Sequence, residues 1–314
     1  MKTPKYWQDK NFLSTLLAPF GFLYGMATAL RLKLKRGYKA SVPVICVGNI
    51  TAGGVGKTPI SIAIAELLKA NGKKPFFISR GYGGRLSGVL VDTKKHTAYD
   101  VGDEPLILTQ AAPTVVCADR AKAAQIALKH GADILIMDDG FQNPDLKKDI
   151  SLLVFNGHIG VGNGRIIPAG PLRESLKSGL RRADAILFIG EDKDGLLNKV
   201  QKPVFKVKIV EQKPDVQGQN VIAFAGIGYP SKFYDSLMKC GFTIVKAYDF
   251  EDHHFYQKDE LKKILTKAKK KNVPVYTTSK DFVKIPPDMQ EHFCVLEIKA
   301  VFEDERALLK TLIG

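Results

Sequence analysis

The stretch from Val44 to Glu66, V-I-C-V-G-N-I-T-A-G-G-V-G-K-T-P-I-S-I-A-I-A-E, constrains the fold more than any other part of the chain. An apolar run feeds a glycine-rich turn, and a helix-compatible segment follows. Thr51, Ala52, Gly53, Gly54, Val55 and Gly56 make the turn; Lys57 and Thr58 open the helix. Glycines let backbone N–H groups converge on an anion at a helix N-terminus, so the turn reads as a phosphate cradle. In such a cradle Lys57 reaches the terminal phosphates of a nucleotide, and the Thr58 hydroxyl helps hold the magnesium that bridges them. Thr51 stands where G-x-x-x-x-G-K-[ST] has its first glycine, so the match is to the later half of the motif. The alternative is a tight turn that binds nothing, which the strand and helix context disfavours.

Asp133 to Asp139, D-I-L-I-M-D-D, supports the cradle reading. It is an apolar strand ending in Asp138 and Asp139, and phosphate-loop enzymes hold magnesium through a carboxylate at that place. Gly140-Phe141-Gln142-Asn143 follows and adds an amide pair within reach of metal, water or substrate. Further apolar runs at 74–79, 151–155, 185–189, 204–209, 221–225, 243–248 and 273–278 alternate with helical stretches, including 232–240 and 260–271. That alternation predicts α/β architecture with parallel sheets covered on both faces.

At 314 residues the chain exceeds the usual domain of about 100–200 residues, which suggests two. The only boundary signal is the polar stretch 211–220. Lysine and arginine outnumber aspartate and glutamate by 47 to 32, a formal charge of +15 that demands an anionic partner without choosing among nucleic acid, acidic lipid and phosphorylated substrate. Cys46, Cys117, Cys240 and Cys294 lie far apart, so neither a disulfide framework nor a zinc knuckle is expected.

Residues 12–30 carry no charge over a length near the ~20 residues that cross a bilayer. Pro19, Gly21 and Gly25 interrupt the segment. Lysines and arginines flank both ends, which sets no orientation and suits a helix lying in the headgroup region with Phe12, Phe20, Phe22 and Tyr24 inserted. A true span and an ordinary core helix are the alternatives, while a secretory signal would send a nucleotide site away from nucleotide.

Three loops carry candidate ligand groups. Arg80-Gly81-Tyr82-Gly83-Gly84-Arg85 has cationic ends suited to an anion, or is a solvated turn. Val101-Gly102-Asp103-Glu104-Pro105 places two carboxylates before a helical run at 106–112, and local sequence favours plain capping. The glycine- and proline-rich stretch 160–173 includes Arg165 and Arg173, each able to grip phosphate oxygens in pairs. Asp252-His253-His254 reads as a turn, with no third histidine or cysteine at metal-ligand spacing. Ser279-Lys280-Asp281 closes a strand where α/β sheets usually bind ligands.

Taken together these motifs resemble the tetraacyldisaccharide 4'-kinase family. The likeness runs along nearly the whole chain: L-A-P-F-G-F-L-Y-G, V-G-N-I-T-A-G-G-V-G-K-T-P, S-R-G-Y-G-G, V-G-D-E-P, D-D-G-F-Q, G-N-G-R-I-I-P-A-G-P-L-R-E, F-A-G-I-G-Y-P, D-H-H and T-T-S-K-D. Asn143 stands where the family usually has histidine, and Ser279 where it usually has glutamate. The resemblance implies transfer of the γ-phosphoryl group of ATP to the 4'-hydroxyl of an acylated glucosamine disaccharide 1-phosphate. It implies Asp103 as the base, supported by His253 or its neighbour His254, and a magnesium neighbourhood of Thr58, Glu104, Asp138, Asp139 and Gln142. It assigns Arg173 to phosphate charge, and Arg80, Arg85 and Asn143 to substrate contact.

The family fold implies a phosphate-loop α/β/α sandwich at 38–214, a smaller α/β/α domain at 215–302 and a two-stranded hinge. Residues 303–314 would return to the first domain, and 1–37 would form a membrane-associated helix on the cytosolic face of the inner membrane. Rival readings lack their own signatures: there is no N-K-x-D for guanine, no L-S-G-G-Q, and no aromatic-basic platform for single strands, so no nucleic acid is expected.

Overall fold

The computed structural model describes residues 4–212 and 218–314, so the boundary expected at 214/215 lies outside the described residues. Within them the chain forms β1 (Val44–Gly48), β2 (Pro75–Ser79), β3 (Val89–Leu90), β4 (Thr114–Val116), β5 (Ile134–Asp138), β6 (Ile150–Asn156), β7 (Ala185–Ile189), β8 (Val204–Glu211), β9 (Asn220–Ala225), β10 (Thr243–Asp249), β11 (Val275–Thr278), β12 (Cys294–Leu296) and β13 (Ile298–Phe302). The strands build two sheets. One has nine strands in the order β13-β8-β7-β6-β1-β5-β2-β4-β3, and the other has four in the order β10-β9-β11-β12.

The smaller sheet is parallel throughout. The larger one is mixed, which corrects the expectation of parallel sheets: its two edge strands, β3 and β13, run antiparallel to their neighbours. The central strands β1, β2, β5 and β7 are buried along their whole length, as parallel strands covered on both faces must be, and this is why they read as unbroken apolar runs.

Strand order places the site. β1 lies between β5 and β6, and Val47 at its end is in register with Asp138 at the end of β5. The loop after β1 and the carboxylates after β5 therefore emerge side by side, at the carboxyl edge where open α/β sheets take ligands. The helix Lys57–Ala70 is pinned to the sheet by Ile60, Ile64 and Leu68, one face at i, i+4, i+8. Leu308 and Leu312 of the last helix, Glu305–Ile313, join the same apolar cluster, so the chain's end packs on the large sheet.

The N-terminal apolar segment divides into helices Phe12–Leu16 and Ala18–Leu34, with Pro19 in the first turn of the second, where it removes no helical hydrogen bond. Among the described residues no helix is long and apolar enough to cross a membrane. Gly21 lets the second helix lie against the 160–173 loop, because a Cβ there would stand 2.6 Å from the carbonyl oxygen of Ile166. The opposite face is open: Phe12 is 84% exposed, and Leu16, Phe20, Phe22, Leu23, Tyr24, Met26, Leu30 and Leu34 are exposed with it. Among the described residues no cysteine is in a disulfide.

Candidate active site

The phosphate cradle has the predicted backbone. Gly53 and Gly56 adopt φ of 108° and 92°, a region that side-chain-bearing residues rarely enter, and Gly56 caps the helix that begins at Lys57. The turn is also braced from outside. Ala52 N–H donates to Pro171 O at 2.7 Å, and Arg173 N–H to Ile50 O at 2.7 Å, so the 160–173 loop is laced to it. Thr51 is buried, and buried Asn49 donates from Nδ2 to its carbonyl oxygen at 2.7 Å and its hydroxyl at 3.1 Å. The Lys57 ammonium donates to Asn49 Oδ1 at 3.2 Å and lies 3.4 Å from Asp139. Asn49 thus orders both ends of the turn, a role no local motif announced.

Asp138 and Asp139 are adjacent yet opposite in environment. Asp138 is buried and accepts a hydrogen bond from Ser61 Oγ at 2.7 Å. Ser61 stands one helical turn after Lys57, and that spacing is the signal by which sequence alone could have found it. Burial, then the like charge of Glu104, push the Asp138 carboxyl up to about 7. Asp139 turns outward through a left-handed backbone, φ 52°, and meets Arg173 at 3.0 Å as well as Lys57. Burial would raise its pKa, but those two cations hold it below the usual range. Glu104 is pushed up by burial, with the ammonium of Lys280 opposing.

Gln142 donates from Nε2 to Asn49 O at 2.9 Å and to Glu174 at 3.0 Å, and its amide oxygen faces Arg173 at 3.5 Å. Its contacts hold the loop and the arginine together. Glu174 is buried and paired with Arg182, whose guanidinium lies over the Phe141 ring at 4.2 Å. These two residues, Glu174 at the end of the 162–174 motif and Arg182 outside any motif, fix the strand-end turn from behind.

The helix Asp103–Thr109 begins at the two carboxylates, earlier than the run expected at 106–112. Asp103 does more than cap it. Its Oδ1 accepts from the Glu104 N–H at 2.9 Å, while its Oδ2 meets His253 Nδ1 at 3.1 Å across 150 positions of chain. Burial alone would raise the Asp103 carboxyl, but the His253 hydrogen bond and the positive charge of Lys280 and Lys284 bring it below its ordinary value. His253 also sits in a left-handed conformation, φ 62°, which costs about 1–3 kcal/mol and aims the ring at Asp103. Tyr82 packs edge-on against that ring at 5.8 Å. His254 is engaged elsewhere, 3.0 Å from Glu260, so the structure places His253 at Asp103 and His254 away from it.

Three substrate candidates fall outside this constellation or at its rim. Arg85 is spent on Asp100, at 2.8 Å and 3.0 Å, and stacks on Tyr99. Asn143 closes a local turn with Asp145 through bonds of 3.0 Å and 2.9 Å. Arg80 is exposed at the carboxyl end of β2. Among the described residues no group of three or more His, Cys, Asp or Glu is placed to hold a metal by itself. The donors at hand, Thr58, Asp138, Asp139 and Glu104, suit an ion that takes one or two carboxylates and completes its shell with phosphate oxygens and water, as Mg²⁺ does.

A family model described as tetraacyldisaccharide-1-P 4'-kinase matches residues 13–314. A tetraacyldisaccharide 4'-kinase of Paramagnetospirillum magneticum is 43% identical over 95% of this chain and 94% of its own, and that of Rhodospirillum rubrum is 42% identical over 98% and 96%. The crystal structure of LpxK from Aquifex aeolicus in complex with ATP superposes with a TM-score of 0.79 at 30% identity, covering 96% of this chain and 98% of that one.

Proposed function

We propose, for a chain that belongs to the tetraacyldisaccharide 4'-kinase family, that Asp103 is the base of its phosphoryl transfer and that His253 orients it. The enzyme phosphorylates the 4'-hydroxyl of tetraacyldisaccharide 1-phosphate with ATP, a step of lipid A biosynthesis. As the hydroxyl oxygen bonds to the γ-phosphorus, its proton passes to Asp103, the bond between the γ-phosphorus and the bridging oxygen breaks, and ADP leaves. Phosphoryl transfer asks a protein mainly for positioning and charge neutralisation, and the residues divide those tasks. Residues 51–58 hold the phosphate chain, and Lys57 and Arg173 meet its charge. Asp139, which both cations touch before ATP arrives, keeps them near the cradle until phosphate replaces it.

Magnesium, when bound, neutralises phosphate charge and fixes the γ-phosphoryl group; Thr58, Asp138, Asp139 and Glu104 would hold it. The observation that carries the reading of the base is the Asp103–His253 contact, which joins the edge of the large sheet to the loop after β10. Closure of residues 215–302 over 38–214, with 303–314 on the first unit, makes that contact part of substrate commitment. The test is a double-mutant cycle on ATP, magnesium and the lipid disaccharide, with product followed by mass spectrometry. Asp103→Ala is expected to lower kcat about a thousandfold, with His253→Ala adding little to it; strictly multiplicative losses would dissolve the pair.

The exposed apolar face of residues 12–34 is the membrane surface of the enzyme in this reading, on the cytosolic side of the inner membrane. Its aromatics lie outward and Arg31 and Lys33 close its last turn, an arrangement suited to anionic headgroups. Charge substitution tests it better than deletion, because Arg165 is bonded to Ser14 and Thr15 and removal would disturb the loop behind the cradle. Phe20→Glu/Phe22→Glu should release most of the protein from sedimenting anionic vesicles; undiminished sedimentation would place the anchor elsewhere.

A further inference from the structure

Lys280 is a cation of the base site to which neither motif nor family likeness gave a task. It sits on the short helix Ser279–Phe282, at the carboxyl end of β11. Its ammonium lies 3.3 Å from His253 Nε2, 3.5 Å from Asp252 Oδ1 and 3.8 Å from Asp103 Oδ2. We propose that Lys280 is a positioning residue that fixes His253 as the Nδ1–H tautomer, so that the ring can only donate to Asp103.

An ammonium has three donors and no acceptor, so its contact with Nε2 requires a bare nitrogen there. An ionised carboxylate only accepts, so the contact of Nδ1 with Asp103 Oδ2 requires a proton on Nδ1. The two demands agree on a single form of the ring. Remove the ammonium and Asp103 still holds the proton on Nδ1, but Nε2 is no longer kept bare and can take a proton as well, facing Asp252 Oδ1 at 3.9 Å.

The placement of Lys280 is built rather than incidental. The next residue, Asp281, is fully buried and accepts from Gly226 N–H at 3.0 Å, Tyr256 Oη at 2.9 Å and Thr278 Oγ1 at 2.7 Å, with Lys284 at 2.7 Å. That network ties the helix to the strand ends of the small sheet and leaves Lys280 little choice of position. Asp252 Oδ1 is buried without a hydrogen-bond donor, so the ammonium supplies the nearest positive charge to it as well. The loop carrying His253 and the helix carrying Lys280 are thereby held to each other as well as to Asp103.

The inference rests on Asp103 as the base, and its test separates the two. Long-range ¹H–¹⁵N spectra of ¹⁵N-histidine-labelled full-length enzyme at pH 8 read the tautomer whatever the turnover, the His253 signals being those missing from His253→Gln. The wild type should show a protonated Nδ1 and a bare Nε2, and in Lys280→Met Nε2 should carry a proton as well. In turnover, Lys280→Met should lower kcat about 10–100-fold with the KM for ATP within about twofold, and Lys280→Arg should recover most of the loss. If Lys280→Met gives no cooperative melt, Lys280→Ala takes its place. A wild-type ring protonated at Nε2, a tautomer unchanged in the variant, or a raised KM for the lipid disaccharide at unchanged kcat would each overturn the proposal. Should Asp103→Ala retain turnover while the tautomer is as stated, the base assignment fails and the tautomer assignment stands.

Discussion

Asp103 and Asp138 are buried alike, 5% and 4% exposed, and yet burial decides the behaviour of only one of them. Around Asp138 the neighbour that matters most after desolvation is the acidic Glu104, which outweighs Lys57, and its carboxyl rises to about 7. Around Asp103 a histidine and two lysines outweigh the same desolvation and its carboxyl falls. The lesson is that a buried carboxylate takes its character from the sign of the charges brought to it. Here the two sheets bring different signs. The large sheet collects Glu104, Asp138 and Asp139 beside the cradle and engages its cations Lys57 and Arg173 at Asp139, whereas the small sheet delivers His253 and Lys280 to Asp103.

The contrast makes opposite predictions for folding stability without nucleotide or metal. A folded-state pKa near 7 against 3.8 for the free side chain means the folded protein holds an extra proton between those values. The stability this gives Asp138 is full below about 3.8 and lost as pH rises through 7. Asp138→Asn should therefore gain on the wild type between pH 4 and pH 8, by about 2–4 kcal/mol in denaturant melts. Asp103 has the reverse sign: its contribution is present above 3.8 and lost as pH falls through its lowered value, so Asp103→Asn should lose stability at neutral pH. Parallel pH slopes for the two variants would abolish the comparison.

A smaller effect sharpens it. Ser61→Ala removes the donor that favours the charged form of Asp138, so the pH at which stability drops should move upward and the loss at pH 8 should reach about 1–2 kcal/mol. Similar curves for variant and wild type would show that the hydroxyl does not tune the carboxylate. The smallest expected effect is at Arg85. Its guanidinium is committed to Asp100 at an exposed site, so Arg85→Ala should change turnover by less than about threefold and stability by about 0–1 kcal/mol. A large rise in the KM of the lipid disaccharide would restore it to the substrate contacts.

Legibility in the sequence follows how local the cause is. The cradle and the pair Asp138–Asp139 could be read because a glycine turn and a wholly apolar strand are consequences of neighbours in sequence. Asp103 could not: its own surroundings describe a helix cap, and only a partner 150 positions away gives it another task. Lys280 was visible as a polar residue at a strand end, but its contacts depend on how two sheets meet. Two edge strands, β3 and β12, escaped because they are two and three residues long, too short for any period to register. Arg85 and Asn143 erred the other way, as each looks available until its neighbours are folded around it.

One consequence follows from the ladder between β8 and β13, in which residues 298–302 run antiparallel to 211–207. The polypeptide leaves the large sheet along β8 and comes back along β13, so the small sheet is carried on two struts bonded to each other. In the proposed closure any swing of the small sheet would pass through that ladder, which would thereby govern how the imidazole approaches its carboxylate.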